Sequence, residues 1–224
     1  MAMERPFIFI NSAMSADGKI SSFQRRQISI SGREDLSRVA GLRASSDAIM
    51  VGVGTVLADD PSLRVKSADL RRARIMAGKA ENPLRVVADS LARTPPDAKV
   101  LGEGCILAVS RDAPEDRLAQ LDGKADIVIF GDSRVDLGAL TANLHSRGIR
   151  RLMVEGGATL NWSMIEAGLV DEIYVYIGHM VIGGEKAPSL VDGLGFAFDF
   201  PELDLVALER LGDGALLKWR MKRH

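Results

Sequence analysis

Apolar and β-branched residues recur along the chain in short unbroken runs at 7–10, 48–53, 84–88, 106–109, 127–130, 152–154 and 173–177. Continuous apolar character over so few residues predicts strands buried on both faces. Segments of helical spacing lie between several of them. Arg33–Ser45 carries Leu36, Val39, Ala40 and Leu42 on one stripe, 137–145 carries Leu137, Leu140 and Leu144, and 160–167 carries Leu160, Met164 and Ile165. This alternation predicts an α/β fold, a mainly parallel sheet with helices on its faces. The C-terminal end breaks the rhythm: Leu203–Leu211 and 215–221 flank Gly212-Asp213-Gly214, a turn signal that predicts an antiparallel hairpin and therefore a mixed sheet. The polar stretch 66–82, with arginines at 71, 72 and 74, reads as a solvated loop or short helix. No repeat or low-complexity linker interrupts the pattern, so a single domain over 1–224 is expected.

Composition narrows the function classes. The 29 Lys+Arg and 30 Asp+Glu nearly cancel, so no global field draws the protein to nucleic acid or a membrane, and an anionic ligand must be held locally. The single cysteine, Cys105, excludes an intramolecular disulfide and a cysteine-rich zinc site. Histidines 145, 179 and 224 show no metal spacing, so no metal is expected. The N-terminus, with Glu4 and Arg5 before a short apolar stretch, does not have the pattern of a signal peptide, and none is expected. No apolar run approaches the roughly 18–20 residues of a membrane span. A soluble, cytoplasmic protein is expected.

Three strand exits carry candidate chemistry. After the first run comes Asn11-Ser12-Ala13-Met14-Ser15-Ala16-Asp17-Gly18-Lys19-Ile20, with polar side chains where a buried strand would end, a position suited to a ligand crevice. Asp17-Gly18 is equally a turn dipeptide. Asn11 can offer donors and an acceptor to a ligand's polar edge. The second exit is Val51-Gly52-Val53-Gly54-Thr55-Val56-Leu57-Ala58-Asp59-Asp60-Pro61-Ser62-Leu63, where glycines permit close approach of a ligand and a hydroxyl near a helix start can hold phosphate. Its spacing matches neither the dinucleotide fingerprint nor a P-loop, and a tight strand-to-helix turn explains it equally well. Glu155-Gly156-Gly157-Ala158-Thr159-Leu160 is the third, and a second glycine-rich exit favours a dinucleotide, with two phosphates and two nucleosides to seat. Glu155 can accept hydrogen bonds from a ribose or ring amine, or serve as a helix N-terminal acid. Arg43, late in the first helical segment, is a phosphate clamp or a solvated helix-end residue.

In combination, NSAMSADGKI, LRASSDAIMVGVGTVLADDPSL, NPLRVVADS and LMVEGGATLNWSMIEAGLVDEIYVYIGHMVIGG resemble the reductase family of riboflavin biosynthesis. That family comprises the archaeal and fungal diaminopyrimidine reductases and the reductase domain of the bacterial bifunctional deaminase-reductase. The likeness runs from about Pro6 to the C-terminal hairpin, and EKAPSLVDGLGF is similar to the stand-alone archaeal type. The resemblance implies a dihydrofolate-reductase-like fold, a homodimer, and an oxidoreductase using NADPH, with NADH as the alternative. It implies hydride transfer to C1′ of the ribosylamino group of 2,5-diamino-6-ribosylamino-4(3H)-pyrimidinone 5′-phosphate, giving the ribitylamino product. By motif, Thr55, Asp59, Ser90, Gly156, Gly157, Ala158 and Thr159 fall on cofactor positions. Asn11, Arg43, Leu63, Lys66 and Glu155 fall on the substrate side, with Arg43 and Lys66 for the 5′-phosphate. Asp17, Lys19 and Glu155 are the candidate catalytic groups for proton movement at the sugar. Arg93 and Arg111, each just past an expected strand, are candidates for a 2′-phosphate.

Two departures stand out. Arg26-Gln27-Ile28 replaces a Ser-Gln-Trp segment of the bacterial domain, and the deaminase signatures His-x-Glu and Pro-Cys-x-x-Cys do not occur, so reduction without deamination is expected. Two rivals remain open at this point: a reductase of the same fold acting on a pteridine or other small substrate, and a non-catalytic nucleotide-binding protein.

Overall fold

The structure, a computed structural model, describes residues 4–25 and 28–222. Arg26 and Gln27, two of the three residues in the first departure above, lie outside the described residues. The elements run β1 (Phe7–Met14), α1 (Arg33–Ser45), β2 (Ala48–Gly52), α2 (Val53–Asp59), α3 (Ala68–Met76), β3 (Leu84–Ala88), β4 (Cys105–Val109), α4 (Glu115–Leu121), β5 (Asp126–Ile129), α5 (Leu137–Ser146), β6 (Arg151–Val154), α6 (Ala158–Glu166), β7 (Glu172–Ile177), β8 (Leu203–Leu211) and β9 (Gly214–Met221). The chain divides into two units, each built from two stretches: Met1–Phe7 with Ala40–Met153, and Ile8–Val39 with Val154–His224.

In the first unit the strand order is β5-β4-β3-β2-β6. β2 to β5 pair in parallel, each joined to the next by a helical or long crossover. The runs in β2, β3 and β4 do what the pattern predicts, since Ile49, Met50, Val86, Val87, Leu107 and Ala108 are fully buried, whereas the run at 127–130 does not: β5 is an edge strand, and Ile129 is 53 % exposed. Two buried arginines staple its loops. Arg74 donates to the carbonyls of Ala80 (2.9 Å), Ala44 (2.7 Å) and Ser46 (2.7 Å). Arg85 donates to those of Val100 (2.8 Å), Gly102 (3.3 Å) and Glu103 (2.6 Å). Each arginine thereby joins three backbone carbonyls through one side chain. The stretch read as a loop or short helix contains α3, started by Ser67, whose hydroxyl accepts from the Leu70 N–H at 3.4 Å.

In the second unit the order is β1-β7-β9-β8. β1 and β7 are parallel, whereas β9 runs antiparallel to both β7 and β8 and forms the expected hairpin. The sheet is thus mixed, mainly parallel and flanked by helices. Two expectations need correction here. β1 does not stop at residue 10 but runs to Met14, because Asn11 to Met14 stay in register with Tyr174 to Ile177; Asn11 is therefore within the strand and not beyond it. α1 does not bury Leu36, which is 58 % exposed; its buried residue is Asp35, at 1 %. A polar partner overrides the apolar stripe there, as described below. Close packing also fixes the long segment after β7: a Cβ on Gly193 would fall 2.2 Å from ring atoms of Trp162, so only glycine fits against that face.

Candidate active site

In the first unit, candidate residues follow the carboxyl ends of neighbouring parallel strands, where α/β sheets bind ligands. β2 ends at Gly52 and α2 begins at once. Thr55 and Asp59 lie four residues apart on α2, hence on one face, and both are half-buried. Burial pushes the Asp59 carboxyl above its ordinary value. A Cβ on Gly54 would meet no heavy atom within 4 Å, so the backbone here is open. Beyond β3, the Ser90 hydroxyl accepts from the Val135 N–H (3.1 Å), which leaves its own proton to donate elsewhere. Its neighbour Asp89 is fully buried. Asp89 Oδ2 takes the N–H (2.7 Å) and hydroxyl (2.8 Å) of Thr94. Arg93 lies 3.8 Å from Asp89 Oδ1, and Arg111, past β4, pairs with Asp132 at 2.5 Å.

Arg43 is half-buried in the last turn of α1, and Lys66 is exposed. Leu63 has a positive φ of 51° and a buried side chain, so only its backbone is available to a ligand. Arg71 donates to the Lys66 carbonyl at 2.8 Å, which holds the backbone of that lysine.

The second unit holds the remaining candidates. Asn11 is 7 % exposed, and its Oδ1 accepts from Arg38 Nη2 at 2.8 Å. Arg38 is in turn paired with Asp35 Oδ1, through Nε at 2.8 Å and Nη2 at 2.7 Å. Asp35 Oδ2 accepts from the Ser31 hydroxyl.

The turn after β1 is tied to the segment after β7. Asp17 accepts from the Ser15 hydroxyl (2.5 Å) and the N–H groups of Ile182 (3.0 Å) and Gly183 (2.7 Å). The Ser15 hydrogen bond, then those two amides, lower its pKa to about 2. Lys19 Nζ donates to the Ala187 carbonyl at 3.0 Å, and Lys19 bridges Ser189 through the backbone. Asp17 is thus a carboxylate held by three donors, an anchor for residues 182–183.

Glu155 is half-buried directly after β6. Gly156 follows with φ +90°, a conformation that favours glycine, and the Gly156–Gly157 peptide is cis. Gly157 is the N-cap of α6, with no side-chain cap, so the first N–H groups of that nine-residue helix have no side-chain acceptor from the cap position. Ala158 is buried and Thr159 exposed. Asn161 backs this turn: it is fully buried and donates from Nδ2 to the Leu190 carbonyl at 2.8 Å.

Sequence reasoning missed Arg38, Asp35 and Asn161. The Asp35–Arg38 spacing of three residues was the available signal for the first two, but the apolar stripe through Leu36 obscured it. No metal-ligating group of His, Cys, Asp or Glu occurs among the described residues. Among them, too, no helix is long and apolar enough to cross a membrane.

Comparison with known proteins gives a consistent picture. The chain is 49 % identical, over 98 % of its length and 100 % of the relative's, to a protein of Archaeoglobus fulgidus named 2,5-diamino-6-ribosylamino-4(3H)-pyrimidinone 5′-phosphate reductase. A Methanothermobacter thermautotrophicus protein of the same name is 46 % identical over 97 % of this chain and 99 % of its own. Among solved structures, a pyrimidine reductase-like protein from Corynebacterium diphtheriae superposes with a TM-score of 0.84 at 17 % identity, covering 98 % of this chain and 93 % of that one. Dihydrofolate reductase from Enterococcus faecalis superposes with a TM-score of 0.50 at 10 % identity, covering 97 % of each chain, and the fold is dihydrofolate-reductase-like. The model for the RibD C-terminal domain matches residues 6–217, nearly the whole chain with both glycine-rich exits inside the match, and the chain belongs to that family.

Proposed function

We propose that the chain acts as one reductase domain, 1–224, that uses NADPH to reduce C1′ of 2,5-diamino-6-ribosylamino-4(3H)-pyrimidinone 5′-phosphate. The observation that carries this reading is the 49 % identity along the full length of the archaeal protein named for that reaction. The residues also fit a dinucleotide. The glycine N-cap of α6 leaves its first N–H groups for an anion, Gly54 leaves open backbone, and Thr55 and Ser90 are hydroxyl donors. Gly156, Gly157, Ala158 and Thr159 would hold the cofactor with Thr55, Asp59 and Ser90. When bound, the cofactor supplies the hydride.

The chain's own residues bind and orient. Arg43 and Lys66 grip the 5′-phosphate, and the Leu63 backbone, Asn11 and Glu155 orient the pyrimidine and opened sugar. Reduction of the ring-opened imine adds hydride at C1′ and a proton at the exocyclic nitrogen. Asp17, anionic and saturated with donors, is poorly suited to deliver that proton near neutral pH, which leaves Lys19 and Glu155 as its carriers. Preference for NADPH over NADH is assigned to Arg93 and Arg111. Both follow adjacent parallel strands and are largely exposed, which suits a 2′-phosphate.

A homodimer is part of the same reading. β8 is an edge strand exposing Leu203, Leu205, Val206 and Leu208, an apolar row that a second copy would cover. Light scattering of the dilute protein tests it, with monomer mass as the contrary result. The site of action is assigned to the cytoplasm, checked by fractionation of cells.

Mixing enzyme, NADPH and the phosphorylated pyrimidine tests the assignment. Loss of reduced-nicotinamide absorbance that stops at stoichiometric conversion is expected, with Arg43→Ala raising the substrate KM about tenfold or more through loss of a charge-assisted contact. Turnover of an unphosphorylated pteridine in place of the pyrimidine would contradict it.

A further inference from the structure

We infer that the Asp35–Arg38 pair is a positioning device that makes Asn11 a one-way hydrogen-bond donor, selecting the carbonyl edge of the substrate's pyrimidinone ring. The inference rests on the substrate reading above and deepens it.

An asparagine amide has two faces of opposite character, and its orientation is normally adjustable by a simple flip. Here the flip is blocked. A guanidinium can only donate, so the atom of Asn11 that faces Arg38 at 2.8 Å must be the carbonyl oxygen. Arg38 cannot swing away, because two of its nitrogens hold Asp35 Oδ1 at 2.8 and 2.7 Å. Asp35 cannot yield either: it is 1 % exposed, on the inward side of α1, and its second oxygen takes the Ser31 hydroxyl. A buried ion pair adds little net stability over apolar packing, so its retention on a helix that leaves Leu36 exposed points to an orienting role.

With Oδ1 turned to Arg38, Nδ2 is the end of the amide left to face a ligand. A fixed donor gains nothing against a ribose hydroxyl, which can donate or accept. It discriminates sharply between the two kinds of group on a diaminopyrimidinone, accepting the ring carbonyl and rejecting the amino groups, which are donors too. Arg38 and Asp35 are positioning residues, and Asn11 is the group that touches substrate.

The test compares equilibrium binding and steady-state kinetics for wild type, Asn11→Asp, Asn11→Ala and the charge-neutral double variant Asp35→Asn with Arg38→Gln. The probes are the phosphorylated diaminopyrimidinone and an analogue lacking the ring carbonyl. Wild type is expected to bind the analogue about tenfold more weakly, the size of one lost hydrogen bond to a buried donor. Both Asn11 variants should show KM raised about tenfold on the natural substrate, kcat much less affected, NADPH affinity and Tm near wild type, and no discrimination between the two probes. The double variant should lose part of that discrimination with Asn11 intact, a result that a purely structural role would not produce. Full discrimination retained in the Asn11 variants, or in a folded double variant, overturns the inference. If wild type binds neither probe, the substrate reading itself fails, and that outcome is distinct from the others.

Discussion

Arg74 and Arg85 in the first unit and Arg38 in the second are all largely buried, yet they do different things with their donors. The first two donate to backbone carbonyls, three apiece, while Arg38 donates to the side chains of Asp35 and Asn11. Burial disfavours the charged form in the first two. A buried arginine that serves main-chain carbonyls is part of the fold, because it ties several segments together through their backbone. One that serves the amide of a strand residue orients a group that has a second face to offer. Type and burial alone do not separate these roles; the partner does.

Substitutions can break or sharpen that contrast. The largest effect is expected for Arg74→Ala, which leaves the carbonyls of Ala44, Ser46 and Ala80 without their donor and should destabilise by about 3–5 kcal/mol. Denaturant unfolding measures this, and kcat/KM per folded molecule should stay unchanged. Next comes Gly193→Ala, whose Cβ would press on the Trp162 ring at 2.2 Å and should cost about 1–3 kcal/mol by overpacking. Asn11→Ala reverses the pattern, with a tenfold loss in kcat/KM, about 1.4 kcal/mol, and little change in Tm. An equal loss of stability in Asn11→Ala and Arg74→Ala would erase the distinction.

The smallest effect concerns pH. Asp17 has its folded pKa depressed from 3.8 to about 2 by Ser15 and the amides of Ile182 and Gly183. A depressed carboxylate stabilises above its unfolded value and loses that contribution as pH falls through its folded value. The anchor should therefore persist from neutrality to about pH 4 and weaken progressively between there and about pH 2. Hydrogen exchange at Ile182 and Gly183 measures it, and Asp17→Asn should accelerate exchange at both amides even at neutral pH.

Much of the architecture was legible because strands buried on both faces must be apolar without interruption. The run at 84–88 coincides with β3 and the helical spacing of 33–45 with α1, while β8, an exposed edge strand, was legible from the Gly212-Asp213-Gly214 turn signal instead. What escaped was decided by tertiary partners. The polar end of β1 is strand only because β7 lies in register beside it, and α2 is too short for its period to be read among the glycines. The candidate site divides in the same way. Glu155 and the two glycine-rich exits were visible as local motifs. The Ser31–Asp35–Arg38–Asn11 chain was not, since it joins a helix to a strand 27 residues away in sequence at its longest step. Asp17 and Lys19 were visible as polar residues, but their engagement with residues 182–187 depends on where the segment after β7 returns.

The central assignment is hydride delivery to C1′ of the phosphoribosylated pyrimidine, and isotope transfer tests it most directly. Enzyme supplied with NADPH carrying deuterium at the transferable C4 position should yield a ribitylamino product with one deuterium, located at C1′ by mass spectrometry and NMR. Product without deuterium, or NADPH left unconsumed while both ligands bind, would contradict the account.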